Sequence, residues 1–518
     1  AVYLFSPTAQ LVAGLSPAPR FFEMILLKSD FSHKIRGWFR NWITLLRPSE
    51  PKASPQKARF LNLAKIRQHF FEKEIMKQKI RTIVHIMLML FTAGCSGTQE
   101  PPTSTHAPSP TSIPPTHTTT SELMNTPETI PESPCPLLMA HYMPWYQTPS
   151  VSGYWGWHWT MNHFNPEQHD ENGRPVIASY TMPLTGPYDS SDDDLLEYQV
   201  LLMKLSGIDG VIVDWYGMEE FRDYGVLNQS TNKLFTHIKK AGLSFAICYE
   251  DQAIKHMVDN KYLPAKDVYT HGQAVMRYLQ DTWFHDEAYL KVAGQPLLLT
   301  FGPQYYTNAT HWDTLFSVLD TRPAFITLDS HTESAGLSSY PWPPMWAGQD
   351  GVLSQEALEQ YLTTFYKKAA RWGYLVAGAF PGFRDIYQEV GVASEVRYLD
   401  VRQGETFRFT LQMALDQRPN VIQLITWNDY GESTSIEPTE EFGYQYLEVV
   451  QETRCTMEGG DFSFTADDLR LPLQLFKVRK HYAEDTGVQA RLDEVFAAIL
   501  TGEVDTARRI IANYSIEP

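Results

Sequence analysis

Cysteine is scarce in this chain of 518 residues, which has only Cys95, Cys135, Cys248 and Cys455. No two of them have the spacing of a zinc-ligand pair, and four cysteines this far apart do not form a dense disulfide framework. The sequence therefore excludes a zinc-finger protein and a small scaffold held together by disulfides.

Positive charge is also scarce once the first 95 residues are set aside. Residues 96–518 contain 28 Lys and Arg against 55 Asp and Glu. A body this acidic repels phosphate groups, so we expect neither a nucleic-acid partner nor an anionic membrane surface for it. Aromatic residues, by contrast, are plentiful, with 13 Trp and 27 Tyr. Such rings suit a protein that stacks against flat, uncharged ligands.

The longest apolar stretch, Thr82–Phe91, is too short to cross a bilayer as a helix. It lies within MKQKIRTIVHIMLMLFTAGC, residues 76–95, where basic residues precede it and small residues lead into Cys95. This segment resembles a bacterial lipoprotein signal, in which Cys95 is acylated and becomes the mature N-terminus. The alternative is an ordinary secretory signal with an incidental cysteine. Either signal exports the protein, and the lipid would place it at the outer surface or the periplasmic face of a bacterial membrane.

Two segments without fold signals flank this signal. Residues 1–75 are basic and precede a complete signal, so we expect an over-extended reading frame. The alternative for them is a basic amphipathic segment at a membrane surface. Residues 96–134 contain 9 Pro, 10 Thr and 6 Ser in 39 positions. This composition predicts a disordered tether.

After Cys135 the chain alternates short apolar runs with amphipathic stretches. Near-continuous apolar runs predict parallel strands covered on both faces, and eight of them alternating with helices predict a (β/α)8 TIM barrel over residues 135–455. An open flavodoxin-like sheet would need fewer strands. The predicted strands are Leu137–Tyr142, Gly210–Trp215, Ser244–Tyr249, Pro296–Phe301, Ala324–Leu328, Met345–Ala347, Leu375–Phe380 and Val421–Thr426.

The last part of the chain, residues 456–518, predicts a short C-terminal helical extension. Its helical patterns are Leu473–Tyr482, Gln489–Leu500 and Asp505–Asn513. A closed barrel brings its first and last units together, so Cys135 and Cys455 are candidates for a disulfide. The alternative is two unpaired cysteines. Cys248 lies within the third strand and is expected to be a buried thiol.

Polar and aromatic side chains recur at the carboxyl ends of the predicted strands, which is where barrels of this kind build their active sites. Each has a structural alternative: Asp214 can cap a helix, Glu250 can pair with a lysine and Trp145 can be core. Their repetition favours a binding site. The candidate substrate-binding residues are His141, Tyr142, Trp145, Tyr146, Trp159, Asp214, Trp215, Tyr216, Glu250, Asp251, Asp329, Trp427 and Asn428.

The segment TWNDYGESTSIEP, residues 426–438, contains the candidate catalytic pair Asp429 and Glu432. Two carboxyl groups in one short turn can face the same cavity. Glycosidic cleavage needs such a pair, because one carboxyl group protonates the leaving oxygen while the other acts as base or nucleophile. The structural alternative is that Asp429 binds turn amides and Glu432 is solvated.

Three motifs carry a resemblance to known enzymes: HYMPWY at 141–146, the run at 186–217 and the segment Trp427–Pro438. TWNDYGES resembles glycoside hydrolase family 71, the α-1,3-glucanases, and all three motifs resemble glycoside hydrolase family 99, which contains endo-α-mannosidases with a (β/α)8 barrel. Asp429 and Glu432 stand where family 99 has two glutamates in N-E-W-H-E-G, and this chain reads N-D-Y-G-E-S.

The resemblance implies two possible routes. In one, Asp429 deprotonates the sugar 2-hydroxyl, which attacks the anomeric carbon, and Glu432 is the acid/base. In the other, Asp429 or another acid activates water and Glu432 is the acid. Neither route requires a metal ion or an organic cofactor, and the acidic run Asp189–Asp194 matches no calcium loop.

These features predict an exported, lipid-anchored glycoside hydrolase that acts, as a monomer, on an α-linked poly- or oligosaccharide of the α-mannan or α-1,3-glucan type. The alternative is a catalytically inactive carbohydrate-binding lipoprotein. Trp145, Tyr146 and Trp159 belong to an aromatic group after the first strand that suits sugar stacking. That group can equally pack on itself over the barrel rim.

Overall fold

The computed structural model describes residues 135–329 and 336–514. The predictions for residues 1–75, 76–95 and 96–134, including acylation of Cys95, lie outside the described residues. Within the described ranges, no helix combines the length and apolar character needed to cross a bilayer.

Eight parallel strands form a barrel. They pair in the order β6–β5–β4–β3–β2–β1–β8–β7, and β6 lies beside β7 at the remaining seam. The described chain is therefore a nearly closed (β/α)8 barrel, as predicted. The strands are β1 (Leu137–Tyr142), β2 (Gly210–Trp215), β3 (Ser244–Tyr249), β4 (Gln295–Thr300), β5 (Ala324–Leu328), β6 (Ser338–Tyr340), β7 (Val376–Ala379) and β8 (Val421–Leu424).

Short strands lie outside the barrel wall. Lys291–Val292 pairs antiparallel with β4, and Phe383–Arg384 pairs antiparallel with Tyr398–Leu399. The second pair follows β7 and lies at the carboxyl-terminal end of the barrel strands.

Helices cover the outside of the strands, so β2 is buried along its whole length. Such burial on both faces explains why the strands read as apolar runs. The helices are α1 (Trp157–Thr160), α2 (Asp193–Ser206), α3 (Tyr224–Lys240), α4 (Gln252–Asp259), α5 (Val268–Leu279), α6 (Ala309–Phe316), α7 (Gln355–Ala369), α8 (Glu405–Leu415), α9 (Gln445–Met457), α10 (Leu471–His481), α11 (Thr486–Leu500) and α12 (Val504–Ile511).

Helix α2 shows how the sequence sets its own limits. The Asp192 side chain accepts a hydrogen bond from the Asp194 amide at the start of the helix, and Gly207 ends it in the left-handed conformation with φ of 80°. An acidic N-cap and a C-terminal glycine are the expected boundary signals.

One strand prediction is wrong. Met345–Ala347 forms a short 3₁₀ helix, and the sixth strand is instead Ser338–Tyr340. Two of its three residues are serines, and Ser339 Oγ lies 2.9 Å from Thr327 Oγ1. The buried side chains of this strand are polar and are satisfied by hydrogen bonds, so its sequence contains no apolar run.

The C-terminal helices α10, α11 and α12 form as predicted, and α10 packs against α2. Arg479 of α10 joins the two helices, because its Nε donates to Glu197 Oε1 at 2.6 Å. The same guanidinium reaches Asp493 of α11 at 2.9 Å. The domain boundary placed at residue 455 stays a prediction.

The disulfide between Cys135 and Cys455 is absent from the described residues. The two ends of the barrel do meet, since Cys135 Sγ donates to the Met457 carbonyl at 3.3 Å. That contact is with the main chain of Met457, and Cys135 and Cys455 are not bonded to each other. Cys248 is fully buried, as predicted.

Candidate active site

Four carboxyl groups lie at the carboxyl-terminal end of the barrel. Asp214 comes near the end of β2, Glu250 follows β3, and Asp429 and Glu432 lie in the loop after β8. Their exposed fractions are 3%, 3%, 4% and 6%, so all four are buried at this end of the barrel, which is termed the cleft. Glu432 raises the pKa of the other three carboxyl groups, and Asp214 raises those of Glu250 and Asp429. The structure thus brings two predicted binding residues together with the predicted catalytic pair.

The turn that carries the pair is held by its own hydrogen bonds. The Asp429 amide donates to Thr426 Oγ1 at 2.8 Å, and the Glu432 amide donates to Asp429 Oδ1 at 3.0 Å. Asp429 therefore does bind a turn amide, as the structural alternative proposed. The same bonds fix its carboxyl group in the cleft.

Arg397 is a cation beside this pair that the sequence motifs did not identify. It lies next to the short strand Tyr398–Leu399, and its Nε donates to Asp385 Oδ2 at 2.5 Å. The hairpin formed by Phe383–Arg384 and Tyr398–Leu399 is hydrogen bonded to the turn that carries the pair, because the Arg384 amide donates to the Glu432 carbonyl at 2.9 Å. No apolar run or recognised motif precedes Arg397, which is why it was missed.

The two acids of the pair differ in their charge environment. Burial and the neighbouring Glu432 raise the pKa of Asp429 well above its usual value. Burial also raises the pKa of Glu432, but the positive charge of Arg397 opposes that shift. Burial therefore favours the protonated form of Asp429, whereas Arg397 favours the ionised form of Glu432. This arrangement provides a proton donor and a proton acceptor in one turn.

The other two acids also hold protons readily. Burial and Asp214 raise the pKa of Glu250 well above its usual value, and burial raises the pKa of Asp214 to about 7. Burial and mutual repulsion therefore disfavour the simultaneous ionisation of all four carboxyl groups. The Gln304 amide group also lies 3.4 Å from Glu250 Oε2.

Most of the aromatic group after β1 packs on itself. The Tyr146 and Trp159 rings are 4.0 Å apart, and both lie against Tyr188 and Tyr430. Trp159 is fully buried, and its Nε1 donates to the Tyr188 carbonyl at 2.8 Å. This is the self-packed alternative for these rings. Trp145 stacks on His158, with 4.1 Å between ring centroids.

Asn428 clasps the loop after β1 to the loop after β8. Its Oδ1 accepts from the Met143 amide at 2.8 Å, and its Nδ2 donates to the Met143 carbonyl at 3.0 Å. Next to it, the Trp427 amide donates to the His141 carbonyl at 2.6 Å, and Trp427 is fully buried. Both predicted residues therefore join the two ends of the barrel.

Glu437 is a buried acid that the motif contained without being recognised. It accepts hydrogen bonds from Tyr430 at 2.6 Å, from Tyr188 at 2.8 Å and from Gln199 at 2.7 Å. Burial nevertheless raises its pKa to about 7. These contacts give it a supporting position beneath the aromatic group.

Three predicted binding residues face away from the cleft or brace its loops. Successive side chains of a strand point to opposite faces. Tyr142 accordingly donates to Gln199 of α2 at 2.7 Å, and Trp215 lies parallel to Tyr278 of α5 at 5.8 Å. Asp251 accepts amide hydrogen bonds from residues 304, 305 and 306. These contacts are those of packing and loop support.

Asp329 lies apart from the acid cluster and hydrogen bonds to Tyr361 of α7. His141 and Tyr216, in contrast, are at the cleft. Tyr216 hydrogen bonds to Asp214, and burial lowers the pKa of His141 to about 3, so the imidazole is neutral. Trp342, which the motifs missed, is half-buried and sets its ring edge against His141 at 4.9 Å.

The fold and site define a (β/α)8 barrel with an acidic cleft at the carboxyl ends of its strands. No family model matches the chain. A curated relative, the glycoprotein endo-alpha-1,2-mannosidase-like protein of Mus musculus, is 24% identical over 336 residues, which are 58% of this chain and 69% of that protein. The resemblance to endo-α-mannosidases drawn from the sequence motifs is confirmed.

Two solved structures of the GH99 endo-alpha-mannosidase from Bacteroides thetaiotaomicron are also similar. Each is 18% identical to this chain; they cover 62% and 63% of it and 98% of their own chains, with TM-scores of 0.47 and 0.45. A further structure, described as a glycoside hydrolase-like protein, is 12% identical with a TM-score of 0.43, covering 64% of this chain and 97% of its own.

Proposed function

We propose that this protein is a glycoside hydrolase that cleaves α-linked glycans of the α-mannan or α-1,3-glucan type. The observation that carries the proposal is the placement of Asp429 and Glu432, buried side by side in one turn at the carboxyl end of the barrel. Cleavage of a glycosidic bond needs two such groups with different protonation states. The similarity to the glycoprotein endo-alpha-1,2-mannosidase-like protein of Mus musculus supports the same function.

The charges around the pair favour a division of work opposite to the one implied by the family motif. Asp429, whose raised pKa favours the protonated form, would protonate the leaving oxygen. Glu432, beside Arg397, is the ionised partner that deprotonates the attacking hydroxyl or water.

A panel of α-mannans and α-1,3-glucans tests the proposal through release of reducing ends. We expect release from at least one polymer, and none from a variant that carries both Asp429→Asn and Glu432→Gln. Binding of a glycan by the unmodified protein without any release would instead support the inactive carbohydrate-binding alternative.

The proposal includes export and attachment to the outer surface or the periplasmic face of a bacterial membrane through acylated Cys95. The support for this is the signal-like segment of residues 76–95. Residues 96–134 would then separate the barrel from the lipid, which suits an enzyme that acts on large glycans.

A further inference from the structure

Three adjacent strands direct metal-binding side chains into the barrel beside the acid cluster. His141 is on β1, Asp214 on β2 and Cys248 on β3, each one residue before the end of its strand. Asp214 and Cys248 are directly paired in the strand register. One possible ligand atom from each side chain lies within 4.8 Å of the other two.

These side chains are buried, and the imidazole among them has a nitrogen without a hydrogen-bond partner. His141 and Cys248 are fully buried and Asp214 is 3% exposed. Among the residues described, His141 Nε2 has no hydrogen-bond partner. Buried polar atoms are normally satisfied, so an orphaned imidazole nitrogen that faces a carboxyl group and a thiol indicates a missing ligand.

We propose that His141, Asp214 and Cys248 bind one divalent transition-metal ion, with Zn²⁺ the best match. An imidazole nitrogen, a thiolate sulfur and a carboxylate oxygen are the ligands that Zn²⁺ uses, whereas Ca²⁺ and Mg²⁺ prefer oxygen alone. Tetrahedral Zn²⁺ with bonds of about 2.0–2.3 Å holds its ligand atoms about 3.5 Å apart. The side chains therefore need to approach by roughly 1 Å, and one position stays open.

The surroundings of the cluster suit such an ion. Gln423 Nε2 lies 3.2 Å from His141 Nδ1. If the Gln423 amide is turned by 180°, its Oε1 accepts a hydrogen bond from His141 Nδ1–H. The lone pair of His141 Nε2 is then free for the metal, and a hydrogen bond of this kind usually supports a metal-bound histidine. Tyr340 Oη lies 3.4 Å from Cys248 Sγ. On binding, the thiol releases its proton to solvent.

Charge balance points the same way. Asp214, Glu250, Asp429 and Glu432 place four buried carboxyl groups at this end of the barrel. A divalent ion would offset the excess of carboxyl groups. The inference goes beyond the proposed hydrolase function, and no hydrolytic step depends on it.

The test is metal content of the full chain. Protein purified without chelator and dialysed against Zn²⁺ should retain about one equivalent. We expect Cys248→Ser and His141→Gln to weaken Zn²⁺ binding by more than about 100-fold, beyond the loss caused by removing an outer partner. Cys455→Ser is the matched control, because that thiol lies on α9 outside the cluster, and it should retain the ion.

Co²⁺ substitution provides a second readout that reports the thiolate directly. Co²⁺-loaded protein should show sulfur-to-cobalt charge-transfer absorption, unchanged in Cys455→Ser and lost in Cys248→Ser. Equal metal retention by all variants, or no charge-transfer band in the unmodified protein, would overturn the proposal. The band in the unmodified protein decides the matter even if a cluster variant fails to fold, and neither readout depends on hydrolysis.

Discussion

Asp429 and Glu432 are similarly buried, and the positive charge of Arg397 acts on Glu432. We expect Asp429→Asn to slow turnover of natural glycans by about 10²- to 10⁴-fold, because the amide cannot donate the proton. An aryl glycoside with an acidic leaving group needs no such proton, so that substrate should restore most of the rate. Glu432→Gln should lose activity on both substrates. The measurement is kcat on the two substrates.

The opposite pattern, with rescue of Glu432→Gln alone, would return the acid role to Glu432 as the family motif implies. If both variants keep more than half of the turnover, the pair has no part in the reaction, and Glu250 becomes the next carboxyl group to test.

Glu437 makes stability depend on pH in a direction set by its burial. Its pKa is about 7 in the folded protein against an ordinary value of 4.5. Below pH 4.5 both states are protonated. Between pH 4.5 and 7 Glu437 loses its proton in the unfolded chain but keeps it in the folded protein. The contribution of Glu437 to the free energy of unfolding therefore falls as pH rises, by about 3 kcal/mol in all.

Glu437→Gln removes this contribution. We expect the free energy of unfolding of the unmodified protein, relative to that of the variant, to fall between pH 4.5 and 7 in urea titrations. A difference that stays flat over this range would contradict the assignment. Buried acids such as Glu250 act in both proteins alike, so the comparison isolates Glu437.

At the scale of elements, Arg479 fastens the C-terminal helices to the barrel. Its guanidinium is 7% exposed and pairs with Glu197, which is 14% exposed. We expect Arg479→Met to destabilise the protein by about 2 kcal/mol, less than the 3–5 kcal/mol of a fully buried pair, because Glu197 retains some solvent. Urea unfolding monitored by circular dichroism measures the change.

Arg491→Met is the control for that experiment. Arg491 pairs with Glu494 three residues away, and both side chains are half exposed. Its loss should change the free energy of unfolding by less than about 0.5 kcal/mol. An equal effect of the two substitutions would show that α10 is not fastened through Arg479.

Elements buried through apolar contacts could be predicted from the sequence, and elements buried through polar contacts could not. The runs at β1, β2 and β3 agree with the observed strands because both of their faces are covered. β6 was missed because Ser338 and Ser339 are satisfied by hydrogen bonds. The hairpin that presents Arg397 has strands of two residues, too short for any periodic pattern.

The candidate site divides in the same way. Asp214, Glu250 and the pair in the loop after β8 were recognisable because each follows an apolar strand. Strand alternation then separates cleft residues from packing residues, which is why Trp215 and Tyr142 face the helices. The cluster of His141, Asp214 and Cys248 depends on neighbours from three strands. No local motif marks such a cluster.

At the scale of the whole molecule, the lipid anchor can be tested directly. We expect expression from Met76 to yield a mature protein that begins at Cys95 and carries lipid, because the basic, apolar and small-residue regions precede that cysteine. Mass spectrometry of the membrane fraction gives the N-terminal mass. An unmodified N-terminus, or a Cys95→Ala variant that stays at the membrane, would refute the anchor.

The Asn428 clasp joins the loop after the first strand to the loop that carries the catalytic pair. Opening the barrel between β1 and β8 would break both of these hydrogen bonds and separate the two loops. The rate of that opening should set the lifetime of the working enzyme, so slow hydrogen exchange at the Met143 amide and slow thermal inactivation are expected to change together.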